Sequence, residues 1–193
     1  MFVIYRYFSR TLVIWISLAV AFLCYPYERA FSEREGKKME LQSDAFRNDK
    51  PIPPRYTGDS EDISPRLSWS NVPSGTKELA LVVDDPDAPS PKPWVHWVLY
   101  KIPPTANTIP EGVPMKAVLT SPPGAVQGKN SWGTVGYRGP KPPEGDGTHH
   151  YRFTIYALKV TLPVEKGMHK DALMAAISDQ ILGQAELVGT YQR

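Results

Sequence analysis

The 193-residue sequence has a single cysteine, Cys24, so it contains no internal disulfide and no metal site built from several thiolates. It also lacks an excess of charge: beyond residue 32 there are 19 basic and 19 acidic residues. Because binding to a phosphate backbone needs concentrated Lys and Arg, nucleic-acid binding is set aside as a function. The composition, with 41% hydrophobic and 22% charged residues, excludes a disordered or fibrous chain and suits one domain.

The first 32 residues resemble an export signal. Thr11 to Tyr27 carries no charge and follows Arg6 and Arg10, and small residues near Ala30 suit signal peptidase. Residues 1–32 are therefore predicted to be a signal peptide or an N-terminal membrane anchor, the only membrane contact if uncleaved. This predicts a periplasmic or secreted protein, or one anchored to the inner membrane. Translation starting at Met39 would instead make the protein cytoplasmic.

The remaining sequence predicts a mainly β domain. Residues 33–50 are polar and are assigned to a lead-in, and residues 51–193 to a single domain. Apolar runs at 79–83, 95–100 and 151–160 predict strands. In the second of these, alternation places His96 on the face of Val98 and Tyr100. Residues 170–182 have apolar side chains at four-residue steps, which predicts an amphipathic helix ending near Gly183.

Acidic residues follow the first predicted strand, in the sequence Asp84-Asp85-Pro86-Asp87-Ala88-Pro89. Two prolines stiffen this loop. One interpretation is a turn closed by Asx-type hydrogen bonds, with no ligand. The other is a site in which a carboxylate meets the imidazole of His96 on the next strand and favours its charged form.

A second candidate region is the glycine- and proline-rich loop at residues 133–151, which ends at His149 and Tyr151. His149 and His150 are adjacent, so on a strand they point to opposite faces. The residue types suggest a small anion pocket, with His96, His149 and Tyr151 as donors and Asp85 as the orienting group. Two imidazoles and an aspartate also suit a three-ligand metal site, but the anion pocket is favoured because the chain has no H-x-x-x-H pattern.

These motifs resemble the phosphatidylethanolamine-binding protein family, in its bacterial Raf-kinase-inhibitor-like branch. The resemblance covers residues 41–193 and is carried chiefly by D-P-D-A-P at 85–89, H-W-V-L-Y at 96–100 and G-Y-R-G-P-K-P-P-E-G-D-G-T-H-H-Y at 136–151. It implies a central antiparallel sheet packed against a smaller sheet, with a C-terminal helical element. It also implies a pocket for phosphate, acetate or a phosphorylated headgroup.

Carried over by position, the resemblance implies a ligand-binding set with no metal, no cofactor and no catalytic residue, namely Asp85, His96, His149 and Tyr151, walled by Pro89, Pro142 and Pro143. Asp87 matches a residue that shapes the loop. Lys141 departs from the family pattern, and as a cation at the rim it is expected to attract anions. His150 stands where relatives have Arg, so the salt bridge made by that residue is expected to weaken.

The function expected from this resemblance is non-enzymatic binding of a small phosphorylated anion or lipid headgroup, in a kinase-inhibitor-like regulatory protein. A second hypothesis is inhibition of a protease or another enzyme through a protein interface. A third, phosphoester hydrolysis, needs a nucleophile, and Ser131 and Thr148 near the loop have no diagnostic context.

Overall fold

A computed structural model describes residues 37–163 and 166–193. The predicted signal or anchor at residues 1–32 lies outside them, and no helix in the described ranges is long and apolar enough to cross a membrane. The elements in chain order are β1 (Glu40–Ser43), β2 (Lys50–Pro51), β3 (Leu67–Ser70), β4 (Glu78–Asp85), β5 (Trp94–Ile102), β6 (Thr108–Ile109), β7 (Val118–Thr120), β8 (Pro123–Gln127), β9 (His149–Leu158), α1 (Lys170–Ile177) and β10 (Ile181–Tyr191). Two short 3-10 turns lie at Pro54–Tyr56 and Ser178–Gln180.

The strands form two sheets. A seven-stranded sheet has the order β2-β10-β9-β4-β5-β8-β7, and a three-stranded sheet has the order β1-β3-β6. Neighbouring strands are antiparallel, except that β2 runs parallel to β10. The predicted fold class, a mainly β protein with a central sheet, a smaller sheet and a C-terminal helix, is confirmed.

Apolar side chains cover both faces of the large sheet, which explains why β4 is buried along its whole length. On one face, Leu81 and Phe153 pack in a cluster that also contains residues of the small sheet. On the other face, Val82 packs with Leu173 and Ile177 of α1. Each of these side chains, when fully buried, contributes about 1.5–3 kcal/mol to folding, so both faces hold β4 in place.

The alternation predicted for β5 fails at His96. The pairing of β4 with β5 shifts register between Trp97 and Val95, which leaves His96 as the extra residue of a β-bulge. Its ring contacts that of Tyr151, with 5.1 Å between centroids, and Tyr151 belongs to the cluster between the two sheets. His96 therefore does not share a face with Val98, because alternation holds only where the pairing is regular.

The predicted helix at residues 170–182 is too long. The α-helix ends at Ile177, and after the 3-10 turn the chain enters β10, which contains Leu182 and Gly183. β10 pairs with β9 from Ile181 onward, so its backbone hydrogen bonds go to a neighbouring strand instead of a continuing helix.

The segment assigned to a polar lead-in, residues 33–50, contributes to the folded domain where it is described. β1 lies within it, and Met39, Leu41 and Phe46 are buried in the cluster between the sheets. The domain therefore begins before residue 51, because isolated apolar side chains in a polar stretch supply part of its core.

Candidate functional site

The candidate site is a pocket at the edge of the large sheet where β4 ends and β5 and β9 begin. Because β4 lies between the other two strands and antiparallel to both, Asp85, Trp94 and His149 meet there. The pocket has a volume of about 260 Å³. All eight residues predicted from the sequence line it, together with Ala88, Ser90, Trp94 and Trp132.

Asp85 connects the loop to the pocket. Its Oδ1 accepts hydrogen bonds from the backbone N–H groups of Asp87 and Ala88 at 2.8 and 3.1 Å. Its Oδ2 lies 2.8 Å from Nδ1 of His149. One oxygen thus closes the Asx-type turn that the first interpretation predicts, and the other holds the imidazole of His149 instead of the predicted His96.

His149 lies between two carboxylates. Besides Asp85 at Nδ1, its Nε2 lies 3.2 Å from Oδ2 of Asp146. Burial lowers the pKa of His149, but the hydrogen bonds and negative charges of Asp85 and Asp146 outweigh it, so the pKa is raised. The ring therefore favours the doubly protonated, cationic form, in which both nitrogens donate.

His96 has a different environment. Its Nδ1–H donates to the carbonyl of Arg138 at 2.6 Å, and no carboxylate in the described part of the chain forms a hydrogen bond with it. Burial lowers its pKa, so the ring is neutral near pH 7 and Nε2 is an acceptor. The carboxylate pairing suggested for His96 is therefore wrong, because Asp85 reaches the neighbouring strand β9 and pairs with His149.

The hydroxyl of Tyr151 is buried in the pocket without a hydrogen-bond partner among the described residues. Its ring lies nearly perpendicular to that of His96 and stacks at 6.5 Å from that of His149. Burial, the negative charge of Asp85 and a polar interaction with the Asp85 carboxylate raise the pKa of Tyr151, so the hydroxyl keeps its proton. Burying an unsatisfied hydroxyl costs free energy, so an acceptor that reached this group would be favoured.

Lys141 lines the rim beside Pro142 and Pro143. Its Nζ donates to the carbonyl of Gly58 at 3.0 Å and lies 3.8 Å from Oδ1 of Asp59. The ammonium is thus partly neutralised by its own chain, which reduces the anion attraction expected from the sequence.

His150 points away from His149, as strand alternation predicts, and is exposed. Its Nδ1 and its backbone N–H both donate to Oδ2 of Asp87 at 2.8 Å. Burial raises the pKa of Asp87, but these bonds outweigh it and the pKa is lowered. His150 thus has an acidic partner, and Asp87 joins the loop after β4 to the start of β9.

The sequence interpretation did not single out Asp146, Arg138 or Ser90. Asp146 lies in a Gly-Asp-Gly run three residues before His149, and this spacing is a local sequence signal that a carboxylate lies near the imidazole. Arg138 contributes its carbonyl to His96, and its guanidinium lies 4.9 Å from the ring centroid of Trp132. A backbone acceptor leaves no sequence signal. Among the described residues, no group of three or more His, Cys, Asp or Glu side chains is placed to hold a metal ion.

The sequence profile of the phosphatidylethanolamine-binding protein family matches residues 42–192. The chain belongs to the phosphatidylethanolamine-binding protein family. The resemblance inferred from the motifs is thereby confirmed, and the matched range includes all eight predicted pocket residues.

Relatives in the phosphatidylethanolamine-binding protein family match most of the chain. A UPF0098 protein of Methanothermobacter thermautotrophicus is 49% identical over 155 residues, which cover 80% of this chain and 99% of the relative. The crystal structure of the putative phosphatidylethanolamine-binding protein homologue CT736 from Chlamydia trachomatis has a TM-score of 0.73 and 40% identity, covering 81% of this chain and 98% of that one. Escherichia coli YbcL, described as a member of the mammalian family, has a TM-score of 0.75 and 32% identity, covering 81% and 99%.

Proposed function

We propose that this protein binds phosphate-like anions, free or as phosphorylated headgroups, in the pocket at the end of β4, without catalysing a reaction on them. The proposal is supported by the hydroxyl of Tyr151, which is buried and has no partner among the described residues, beside the ring of His149, whose raised pKa favours the cationic form. A protonated hydroxyl and an imidazolium are both donors, and a phosphate supplies only acceptors once it is fully ionised.

The size and the charge of the pocket support the same ligand class. Its volume of about 260 Å³ is just below the range of roughly 300–1,000 Å³ for small-molecule pockets, which suits a ligand as small as a headgroup. Asp85 would repel an anion, but both of its oxygens are engaged by His149 and by backbone N–H groups. The negative charge of Asp85 is therefore partly offset by the imidazolium of His149, which reduces its repulsion of the ligand.

Binding without turnover is favoured by the hydroxyl groups near the pocket. Ser90 donates its hydroxyl to the carbonyl of Lys92, and Ser131 accepts a hydrogen bond from the backbone of Val95. Thr148 donates to the side chain of Gln192. Neither His96 nor His149 hydrogen-bonds any of these hydroxyls in the described residues, so none has the adjacent base that an activated nucleophile needs.

With residues 1–32 as an export signal or membrane anchor, the proposed site of action is the periplasm, the exterior or the inner-membrane surface. A free phosphate and a phospholipid headgroup present the same tetrahedral anion to the pocket. The proposed partner is therefore defined by that anion.

The test is a titration of the full chain in detergent micelles, with ¹³C-labelled histidine, against inorganic phosphate, O-phosphorylethanolamine and ethanolamine. With four histidines in the chain, each ring signal is assignable. We expect saturable shifts of the His96 and His149 signals with both phosphorylated compounds. His169, exposed at the start of α1, is the internal control. Shifts that do not saturate, or that ethanolamine reproduces, would contradict anion binding.

A further inference from the structure

We propose that Asp146 is an internal competitor for the anion, whose carboxylate must leave Nε2 of His149 before a ligand can bond to that ring. This inference rests on the anion-binding function proposed above. His149 has two ring nitrogens, and each can donate one hydrogen bond. Both already face carboxylates, so the ring has no free donor for a ligand.

Of the two carboxylates, Asp85 is the fixed partner. It is 3% exposed, and its second oxygen accepts two backbone hydrogen bonds from the loop after β4. Its removal from Nδ1 would leave a buried charge without its main partner, which is strongly unfavourable. An incoming anion therefore does not replace Asp85.

Asp146 is the partner that can leave. Its side chain is 42% exposed, and its bond to Nε2 is 3.2 Å long, compared with 2.8 Å for the bond from Asp85 to Nδ1. It lies between Gly145 and Gly147, both at positive φ, and no atom lies within 4 Å of a Cβ built on either glycine. Because the side chain is already partly in water and the flanking glycines are not packed, the carboxylate can turn out into water at low cost.

The loop around Asp146 is held by long hydrogen bonds. The backbone N–H of Asp146 donates to the carbonyl of Pro143 at 3.3 Å, and that of Gly145 donates to the carbonyl of Arg193, also at 3.3 Å. These contacts define a closed position without locking it. In that position the carboxylate occupies the donor on His149 that an anion needs, which lowers the affinity of the pocket for every anion that uses this nitrogen.

The test measures the dissociation constant of inorganic phosphate for the full chain and for Asp146→Ala, Asp146→Asn and Glu144→Gln. Glu144 is the matched control, because it lies two residues away on the same loop, is 81% exposed and contacts Arg193, not His149. We expect Asp146→Ala to bind phosphate about tenfold more tightly than the original chain, which corresponds to one charge-assisted hydrogen bond. The phosphate affinity of Asp146→Asn should lie between those of the original chain and Asp146→Ala. Glu144→Gln is expected to stay within about twofold of the original chain.

The outcomes separate this inference from the proposed function. If the original chain binds phosphate and Asp146→Ala binds it no more tightly, the competitor role is overturned while anion binding stands. If Glu144→Gln tightens binding as much as Asp146→Ala, the effect is one of general charge and the inference also falls. Binding by neither the original chain nor Asp146→Ala overturns both. Binding by Asp146→Ala alone supports the competitor role but contradicts anion binding by the original chain.

Discussion

The two ends of β4 both carry a buried carboxylate, and they differ in what surrounds it. Glu78, at the first end, accepts hydrogen bonds from the backbone N–H groups of Lys101 and Leu162 at 2.9 and 3.1 Å and lies 3.6 Å from Nζ of Lys101. Asp85, at the other end, is equally buried and accepts from two backbone N–H groups and His149. Near Asp85, the hydroxyl of Tyr151 has no hydrogen-bond partner in the described ranges. Among the described residues, no buried side-chain polar group without a partner lies next to Glu78.

A buried charge alone therefore does not identify a site on this sheet. The Glu78 end is closed, since its donors and acceptors satisfy one another within the chain. The Asp85 end is open, since it adjoins a pocket and the hydroxyl of Tyr151 there has no partner among the described residues. The comparison predicts that substitutions at the closed end affect stability, and those at the open end affect ligand affinity.

The largest effect is expected for Glu78→Ala. The substitution leaves one buried and one partly buried backbone N–H group, and part of the Lys101 ammonium, without an acceptor. We expect a loss of about 3 kcal/mol in the free energy of unfolding, measured by urea denaturation. The fraction that remains folded should bind phosphate as the original chain does.

Glu40→Ala is the control for Glu78→Ala. Glu40 is an exposed strand residue whose carboxylate accepts a long hydrogen bond of 3.5 Å from the hydroxyl of Ser70. Removing this carboxylate should change the free energy of unfolding by less than about 0.5 kcal/mol. Equal destabilisation by the two variants would show that burial of Glu78 carries no special role.

The next largest effect is expected for His149→Gln at the open end. Glutamine has similar length but no positive charge, so Asp85 and Asp146 keep a polar neighbour while the anion loses a charged donor. We expect phosphate affinity to fall about 30-fold, measured by calorimetry. His169→Gln, outside the pocket, should bind phosphate normally. A similar loss in both variants would contradict the assignment of His149.

Local patterns in the sequence were enough to predict three central strands, and the resemblance was enough to predict eight pocket residues. The apolar run at residues 79–83 lies inside β4, and both loops that approach the pocket were recognised by their prolines and glycines. These features depend on neighbours in the chain, which is why the sequence carries them.

What could not be predicted depends on residues distant in the chain. Asp85 and His149 are 64 residues apart, and their pairing follows from the alignment of β4 with β9. The face of His96 follows from a register shift that only the partner strand reveals. The start of β10 was hidden because residues 181–182 continue the apolar spacing of α1, and only pairing with β9 decides their conformation.

The pH dependence of binding offers a smaller, sharper test of the open end. The raised pKa of His149 means that its imidazolium is present below about pH 6.5 and is lost as the pH rises through the higher pKa of the folded protein. We expect sulfate affinity to fall about tenfold between pH 6 and about pH 9, since sulfate keeps its charge over this range.

The stability of the ligand-free protein should depend on pH in the same direction as sulfate affinity, falling as the pH rises. Because the folded-state pKa of His149 is raised, its contribution to stability is complete below the unfolded-state value and declines as the pH rises through the folded-state value. Burial lowers the pKa of His96, so its ring loses its proton at a lower pH than that of His149, whose pKa is raised. Because His149→Gln lacks the imidazole that titrates, its sulfate affinity should not change between pH 6 and about pH 9. If sulfate affinity still fell with rising pH in that variant, the titrating group would be another residue.

The smallest effect, and the one that separates the two ends of β4 most directly, is expected for Tyr151→Phe. The substitution removes a hydroxyl that has no hydrogen-bond partner within residues 37–163 and 166–193, so stability should stay equal or rise by up to about 1 kcal/mol. Phosphate affinity should nevertheless fall about fivefold, since the ligand loses a donor. Tyr137→Phe is the matched control: its hydroxyl donates to the carbonyl of Tyr56 at 2.8 Å, outside the residues that line the pocket, so stability should fall and affinity should not. If Tyr151→Phe instead lost stability and kept its affinity, the hydroxyl would belong to the fold, and the open end of β4 would be as closed as the other.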